Sequence, residues 1–255
     1  MPPPTDLFPH ATGAALKTVE AHQEPQDLVF YSGWFCPFVQ RSWIALEEKG
    51  IPYQYKEVNP YKKEKHFLDI NPKGLVPAVE YQGKALYESL VLCEFFEDAY
   101  PTHKPSMLPE DAYTKAYARI WIDYVGKTFV PGFMRLLMAQ ETEKQDAALA
   151  ELYEVLRRFS AQIKGPFFLG EHFSLVDIAI APWITRDVIA AEHRGYSRED
   201  VGAEWKQYAE HVETRESVLR TKSNQDKYAQ VYAPYLKDEA QSEAAKALRA
   251  GRAIP

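Results

Sequence analysis

Apolar and polar positions along the chain change their spacing twice, and those changes divide it. Residues 1–26 are rich in Pro, Ala, Thr and His and keep no sustained period, so they read as an N-terminal extension, a mobile or draped arm. From Asp27 the pattern becomes one of strands and helices. Leu28–Tyr31 suits a short buried strand, and Phe38–Lys49 a helix that Gly50 stops. Tyr53–Val58 carries the aromatic and β-branched residues of a second strand. The turn signal Asn71-Pro72-Lys73-Gly74 precedes the run Leu75–Tyr81, which a hairpin-like Gln82-Gly83 joins to the strand Lys84–Tyr87. Glu88-Ser89 open a helix over Leu90–Tyr100, and Pro101 ends it. The order β-α-β-α-β-β-α over residues 27–101 predicts a compact α/β module.

Prolines then break the chain into a linker over 102–112, and the spacing turns helical over 113–236. Tyr113, Ala116, Tyr117, Ile120, Trp121 and Tyr124 form one stripe at helical spacing. Leu149, Leu152, Tyr153, Leu156, Phe159 and Ile163 form another. Trp205, Tyr208, Ala209 and Val212 make a third, and Tyr228, Val231, Tyr232 and Tyr235 a fourth. Packing between helices accounts for them. The segment "FSLVDI" places Ser174 at an N-cap with Asp177 three residues on, and Phe173 and Ile178 at staple positions. The apolar helix it opens belongs in the middle of an all-helical domain. Residues 237–255, charged and Ala-rich, are a tail or a late helix.

A length of 255 residues allows one or two domains. The net charge of −6 argues against a nucleic-acid surface, and Lys62-Lys63-Glu64-Lys65 is too short and interrupted to alter that. No apolar run approaches the roughly 18 residues of a membrane span. Neither a secretory signal at the N-terminus nor a lipidation signal at the C-terminus is recognised. Two cysteines without CxxC spacing neither staple such a fold nor suggest a metal. The expected setting is reduced and cytoplasmic.

One of those cysteines, Cys36, stands between the first strand and its helix and is followed by Pro37. There the sulfur faces unpaired backbone N–H groups and the positive end of the helix dipole, while proline at N1 loses nothing. A free thiol with a pKa of about 8.5 is only about 3% thiolate at pH 7; lowering it to about 6.5 makes it roughly three-quarters thiolate. That change requires about 2.7 kcal/mol of differential stabilisation. A reactive monothiol is therefore expected at Cys36. Cys93, on the apolar side of the helix Leu90–Tyr100, is expected to be core.

The stretches "FCPFVQRSWIALEEKGI", "NPKGLVPAVEYQGKALYESLVLCEFFEDAYP" and "FFLGEHFSLVDIAIAPW" resemble the glutathione transferase superfamily, most closely its omega class with fungal members, and next the plant lambda class. The resemblance covers about residues 27–235. It implies a thioredoxin-like N-terminal domain that binds glutathione as co-substrate, and an all-α domain that shapes a second-substrate pocket. It places Cys36 on the catalytic cysteine, with Phe38 beside it. Val76 precedes Pro77, the position of a cis-proline, and its backbone would pair with the cysteinyl part of glutathione. Glu88 and Ser89 match the pair that holds the γ-glutamyl end. Lys63 matches the lysine that meets the glycyl carboxylate, with Lys62 and Lys65 one and two residues away. Arg186 aligns with an arginine of the second-substrate pocket, or is an exposed helix charge. Tyr124 and Tyr228 are pocket candidates, or packing.

A cysteine in place of a catalytic hydroxyl implies thiol chemistry: glutathione-dependent thiol transfer, deglutathionylation of small conjugates, and dehydroascorbate reduction. The alternatives are conjugation through the hydroxyl of Tyr31 or Ser32, and a non-enzymatic, ligandin-like carrier of apolar molecules. The implied partners are glutathione and small hydrophobic or aromatic electrophiles, in a homodimer.

Overall fold

The computed structural model describes residues 10–59 and 63–255. The chain divides into two compact units. One runs to Leu108 and takes in Thr214–Lys227; the other comprises Pro109–Glu213 and Tyr228–Pro255.

The first unit contains helix α1 (Gly13–Ala21), then β1 (Leu28–Ser32), α2 (Pro37–Lys49), β2 (Gln54–Glu57), α3 (Lys65–Ile70), β3 (Ala78–Tyr81), β4 (Lys84–Tyr87) and α4 (Ser89–Ala99). The sheet order is β2-β1-β3-β4. β1 runs parallel to β2 and antiparallel to β3, so that Phe30 lies opposite both Tyr55 and Val79. Successive β1 side chains take opposite faces. Phe30 meets Tyr53 and Tyr55 edge-on, whereas Tyr31 packs with Phe67 and Ala78. Gln82 and Gly83, at φ 51° and 73°, supply the consecutive positive φ values of a two-residue hairpin turn. Gly50 stops α2 at φ 59°. From β1 to α4 the order is the expected thioredoxin-like one.

Two expectations are corrected in this unit. The N-terminal extension is not an arm over its described length, because residues 13–21 form α1. Its Thr18 hydroxyl donates to the Arg220 carbonyl at 2.7 Å, and Thr12 N–H donates to Ser223 Oγ at 3.1 Å. Residues 214–227 also leave the helical domain in which the expected 113–236 range placed them. Glu47 and Glu48, near the end of α2, are buried carboxylates. Glu48 accepts from the Arg215 guanidinium and from Ser217 Oγ at 2.7 Å, and Glu47 pairs with Arg220 at 3.0 Å. Glu47 also accepts from Tyr53, which accepts from Trp43 Nε1. A buried carboxylate is tolerated when its charge and lone pairs are matched, and the segment 214–220 supplies that match.

In the second unit, α5 (Ala112–Tyr124) passes through a π-helical turn, Val125–Phe129, into α6 (Val130–Met138); α7 (Thr142–Ser160) and α8 (Leu175–Ile184) follow. The stripe expected on α5 is out of phase. Ala118, Trp121 and Ile122 are buried, while Tyr113 and Ile120 are 79% and 64% exposed. On α7 the buried set is Leu152, Val155, Leu156 and Phe159, and Ile163 falls beyond the helix end. Residues 243–249 form a late helix. No helix among the described residues is long and apolar enough to cross a membrane.

Every residue of α8 is buried, and its start is the expected capping box of Ser174 and Asp177. The Asp177 carboxylate is also a hub. It accepts from the Ser174 N–H and hydroxyl, each at 2.7 Å, and from the Phe168 N–H and Tyr208 hydroxyl, each at 2.8 Å. Burial pushes this carboxyl above its ordinary range, and those four bonds oppose the shift. Asp177→Ala leaves several buried donors unmatched and is expected to lower stability by about 3 kcal/mol or more. Ser174→Ala loses the cap and one of the four hub bonds and costs less, about 1 kcal/mol. Urea unfolding of both variants measures the difference; equal losses would show that the hub adds nothing to the cap.

Candidate functional site

Cys36 is placed by the end of β1. Ser32 accepts from Val58 N–H at 2.7 Å and so keeps the strand paired to its last residue. The chain then turns, with Cys36 N–H donating to the Gly33 carbonyl at 2.9 Å and Trp34 N–H to Glu57 Oε1 at 3.2 Å. Cys36 is the N-cap of α2, in extended conformation at φ −80° and ψ 123°, and Pro37 fills N1. Its side chain makes no capping bond; Sγ instead donates to the Val76 carbonyl at 3.9 Å. The thiol is half-buried and not disulfide-bonded.

Val76 and Pro77 are joined by a cis peptide bond immediately before β3. Two segments separated by forty residues thus meet at one sulfur, the strand-to-helix turn and the proline turn.

The charge inside α2 was not foreseen. Arg41 is 3% exposed, and its guanidinium lies within electrostatic reach of both Cys36 and Cys93. Burial lowers its pKa to about 10, which leaves it cationic at neutral pH, and the two sulfurs oppose the fall. The Phe38 ring lies 5.4 Å from the guanidinium carbon, so this expected site residue covers the cation. At sequence level Arg41 looks like any helix arginine, and only its burial marks it. Cys93 is fully buried, and burial pushes its thiol up to about 12 against the pull of Arg41 and Ser42. The two thiols therefore lie in different environments, one half-buried and one fully buried.

At the start of α4, Glu88 is the N-cap with φ 77° and ψ 110°, a backbone region that side-chain-bearing residues rarely adopt. Ser89 is the first helical residue, 8% exposed, and its carbonyl accepts from Ser42 Oγ at 3.1 Å. Glu88 Oε1 accepts from Lys73 Nζ at 2.7 Å, a lysine the sequence reading did not single out. Of the candidate lysines, Lys62 lies outside the described residues, and Lys65 starts α3. Lys63 lies across Gly74, whose φ is 63°; a Cβ on Gly74 would come within 2.8 Å of Lys63 Cε and Nζ.

Neither upstream hydroxyl stands free in an open site. Ser32 is 0% exposed, and the Tyr31 hydroxyl is engaged with His66 Nε2 at 3.0 Å and Glu80 at 3.5 Å. In the second unit, Arg186 is neither an exposed charge nor an open pocket wall. It is 0% exposed, donates to the Pro182 carbonyl at 2.6 Å, and lies 4.2 Å over the ring of the buried Tyr228. Tyr124 is half-buried and donates to the Val155 carbonyl at 3.1 Å. A cavity of about 10 Å³ among Phe129, Phe133, Leu156, Trp183 and Trp205 has room for about one water.

Comparison with known proteins matches residues 35–99 to the glutathione S-transferase N-terminal domain and residues 139–211 to its C-terminal domain. The chain is 31% identical over 204 residues to a probable glutathione S-transferase, parC, of Nicotiana tabacum, covering 79% of this chain and 92% of that one. It is 36% identical over 170 residues to glutathione S-transferase omega-1 of Sus scrofa, covering 64% and 68%. Among solved structures, glutathione transferase Omega 3C of Trametes versicolor superposes with a TM-score of 0.87 at 67% identity, over 91% of this chain and all of that one. Rice GST1, in complex with glutathione, gives 0.77 at 30% identity, over 84% and 100%. Sequence, fold and the thiol-proline junction thus agree, and the chain belongs to the glutathione S-transferase family, with omega-class members among its relatives.

Proposed function

We propose that the protein is a glutathione-dependent thiol transferase and reductase whose nucleophile is Cys36. The observation that carries this reading is the placement of a half-exposed thiol at the N-cap of α2, where the helix dipole and the Arg41 charge favour the anion. Glutathione lies with its cysteinyl backbone along Val76 beside Pro77. Its γ-glutamyl end meets Glu88 and Ser89, and its glycyl carboxylate meets Lys63. The Cys36 thiolate attacks the glutathionyl sulfur of a mixed disulfide, and the S–S bond breaks as the other thiol leaves with the electron pair. A glutathione thiolate then attacks the glutathionyl sulfur of the Cys36 adduct, releasing oxidised glutathione and restoring the Cys36 thiolate. Deglutathionylation of a conjugate begins with the same attack, the leaving carbon taking the electron pair and then a proton. Dehydroascorbate takes up the two electrons and two protons that two glutathione molecules release. The burial of Ser32 and the engagement of the Tyr31 hydroxyl with His66 and Glu80 make conjugation the weaker reading. The assembly we expect is a homodimer.

Incubation with oxidised glutathione is expected to add one glutathionyl group, removed by dithiothreitol and read by intact mass. Cys36→Ser abolishes the adduct and lowers thiol transfer by more than about a hundredfold; Cys93→Ser retains both, because that thiol is buried and pushed up to about 12. A wild-type protein that stays unmodified, or an adduct on Cys93, overturns the reading. Arg41→Met removes a buried cation and disfavours the thiolate, so the pH profile for alkylation of Cys36 moves to higher pH. An unmoved profile would remove Arg41 from the account.

A further inference from the structure

The turn Gly33–Phe35 delivers Cys36 to the start of α2, and a side chain from the neighbouring strand holds that turn. Glu57, the last residue of β2, is the register partner of Ser32, the last residue of β1. From there its carboxylate reaches past the end of β1, and Oε1 accepts the Trp34 N–H at 3.2 Å. The other oxygen accepts from the Tyr55 hydroxyl at 2.7 Å. Tyr55 precedes Glu57 by two residues, so both side chains rise from the same face of β2. Its ring is locked in the core, 2% exposed, with Phe30 edge-on at 6.1 Å and Trp43 at 5.1 Å. Glu57 is itself exposed. A core phenol thus aims a surface carboxylate at the peptide N–H two residues before the thiol.

Charge pairing does not explain this carboxylate. Glu47 and Glu48 are matched by Arg220 and Arg215, whereas Glu57 has no cation partner among the described residues. An acceptor-only group does suit the geometry. Two neutral donors converge on it, one from the core and one from the turn, and a carboxylate takes both without having to donate. We propose that Glu57 is a positioning residue for thiol transfer, fixing through the Trp34 peptide the direction in which Cys36 Sγ meets the glutathionyl sulfur. This goes beyond the thiol-transferase reading and rests on it. Attack on a disulfide requires the incoming sulfur to align with the S–S bond of a docked molecule, and a misplacement of about 1 Å costs up to about a hundredfold in rate. A small alkylating reagent approaches from solution and makes no such demand. The two reactions therefore separate the placement of the thiol from its ionisation.

The test compares both reactions in three variants. Glu57→Ala is expected to lower kcat for the glutathione-dependent reduction of bis(2-hydroxyethyl) disulfide about tenfold, with KM for glutathione within about twofold of wild type. Its pH profile for alkylation of Cys36 by iodoacetamide, read by intact mass, stays within about twofold of wild type, and Cys93 stays unalkylated. Glu57→Gln keeps an acceptor for the Trp34 N–H and brings kcat back to within about threefold of wild type. Tyr55→Phe releases Oε2 and lowers kcat about threefold, again with KM and alkylation unmoved; it carries the test if Glu57→Ala does not fold. An unchanged kcat in Glu57→Ala, or in Tyr55→Phe where that variant stands in, overturns the positioning role. So does a Glu57→Gln variant no better than Glu57→Ala, or an alkylation profile that falls together with kcat. A wild type that forms no adduct with oxidised glutathione instead overturns the thiol-transferase reading, and this inference with it.

Discussion

Helix α2 is buried continuously from Val39 to Leu46, and the first unit is organised around satisfying that burial. A helix surrounded on all sides cannot present its polar residues to water. Each one must therefore find a partner in the protein. Trp43 donates to Tyr53, Ser42 to the Ser89 carbonyl, and the carboxylates of Glu47 and Glu48 draw in Arg220 and Arg215. Those bonds bring the start of α4 and the late segment 214–220 onto one helix. What is left for solvent is the N-terminal end, where Cys36 sits.

The same constraint shapes the chemistry. A buried arginine is an expensive group, and Arg41 is held in the helix that begins with the thiol. Its charge reaches two sulfurs, but only one of them has access to water. Cys93 has the cation without the solvent, so burial wins and the thiol stays protonated. Cys36 has the cation, the helix terminus and partial exposure together. Position, more than composition, separates the environments of the two cysteines.

Glu88 and Lys73 illustrate a second use of fixed backbone. Neither residue is buried, and their pair adds little to folding. Each is held by a neighbour that is buried: Asn71 pins the turn before Lys73, and Ser89 anchors the first turn of α4 behind Glu88. A rigid support under Glu88 suits the binding role proposed for it, because the ligand then does not have to order the carboxylate.

Much of this was legible from the residues alone. The strand and helix order from Leu28 to Ala99, the Gly50 stop, the Gln82-Gly83 hairpin and the Ser174 capping box depend on local backbone and side-chain chemistry, which a linear pattern records. Cys36, Glu88 and Ser89 stood out for the same reason, since each marks the start of a helix. Helix α1 was missed because its nine residues carry a weak pattern and its partners, Arg220 and Ser223, lie about two hundred residues away. The phase of the α5 stripe was missed because Tyr113 and Ile120 are apolar yet exposed, and periodicity does not say which apolar face turns inward. The candidate site divides in the same way: Lys73 and Arg41 have no motif, and one is distinguished by a carboxylate fifteen residues on, the other by burial. The sequence by itself determined where helices and strands begin and which thiol caps one of them, because those are contests among neighbours in the chain. Only the tertiary structure decided which charges are paired and which sulfur meets water, because desolvation depends on everything packed around a group and not on the residues beside it.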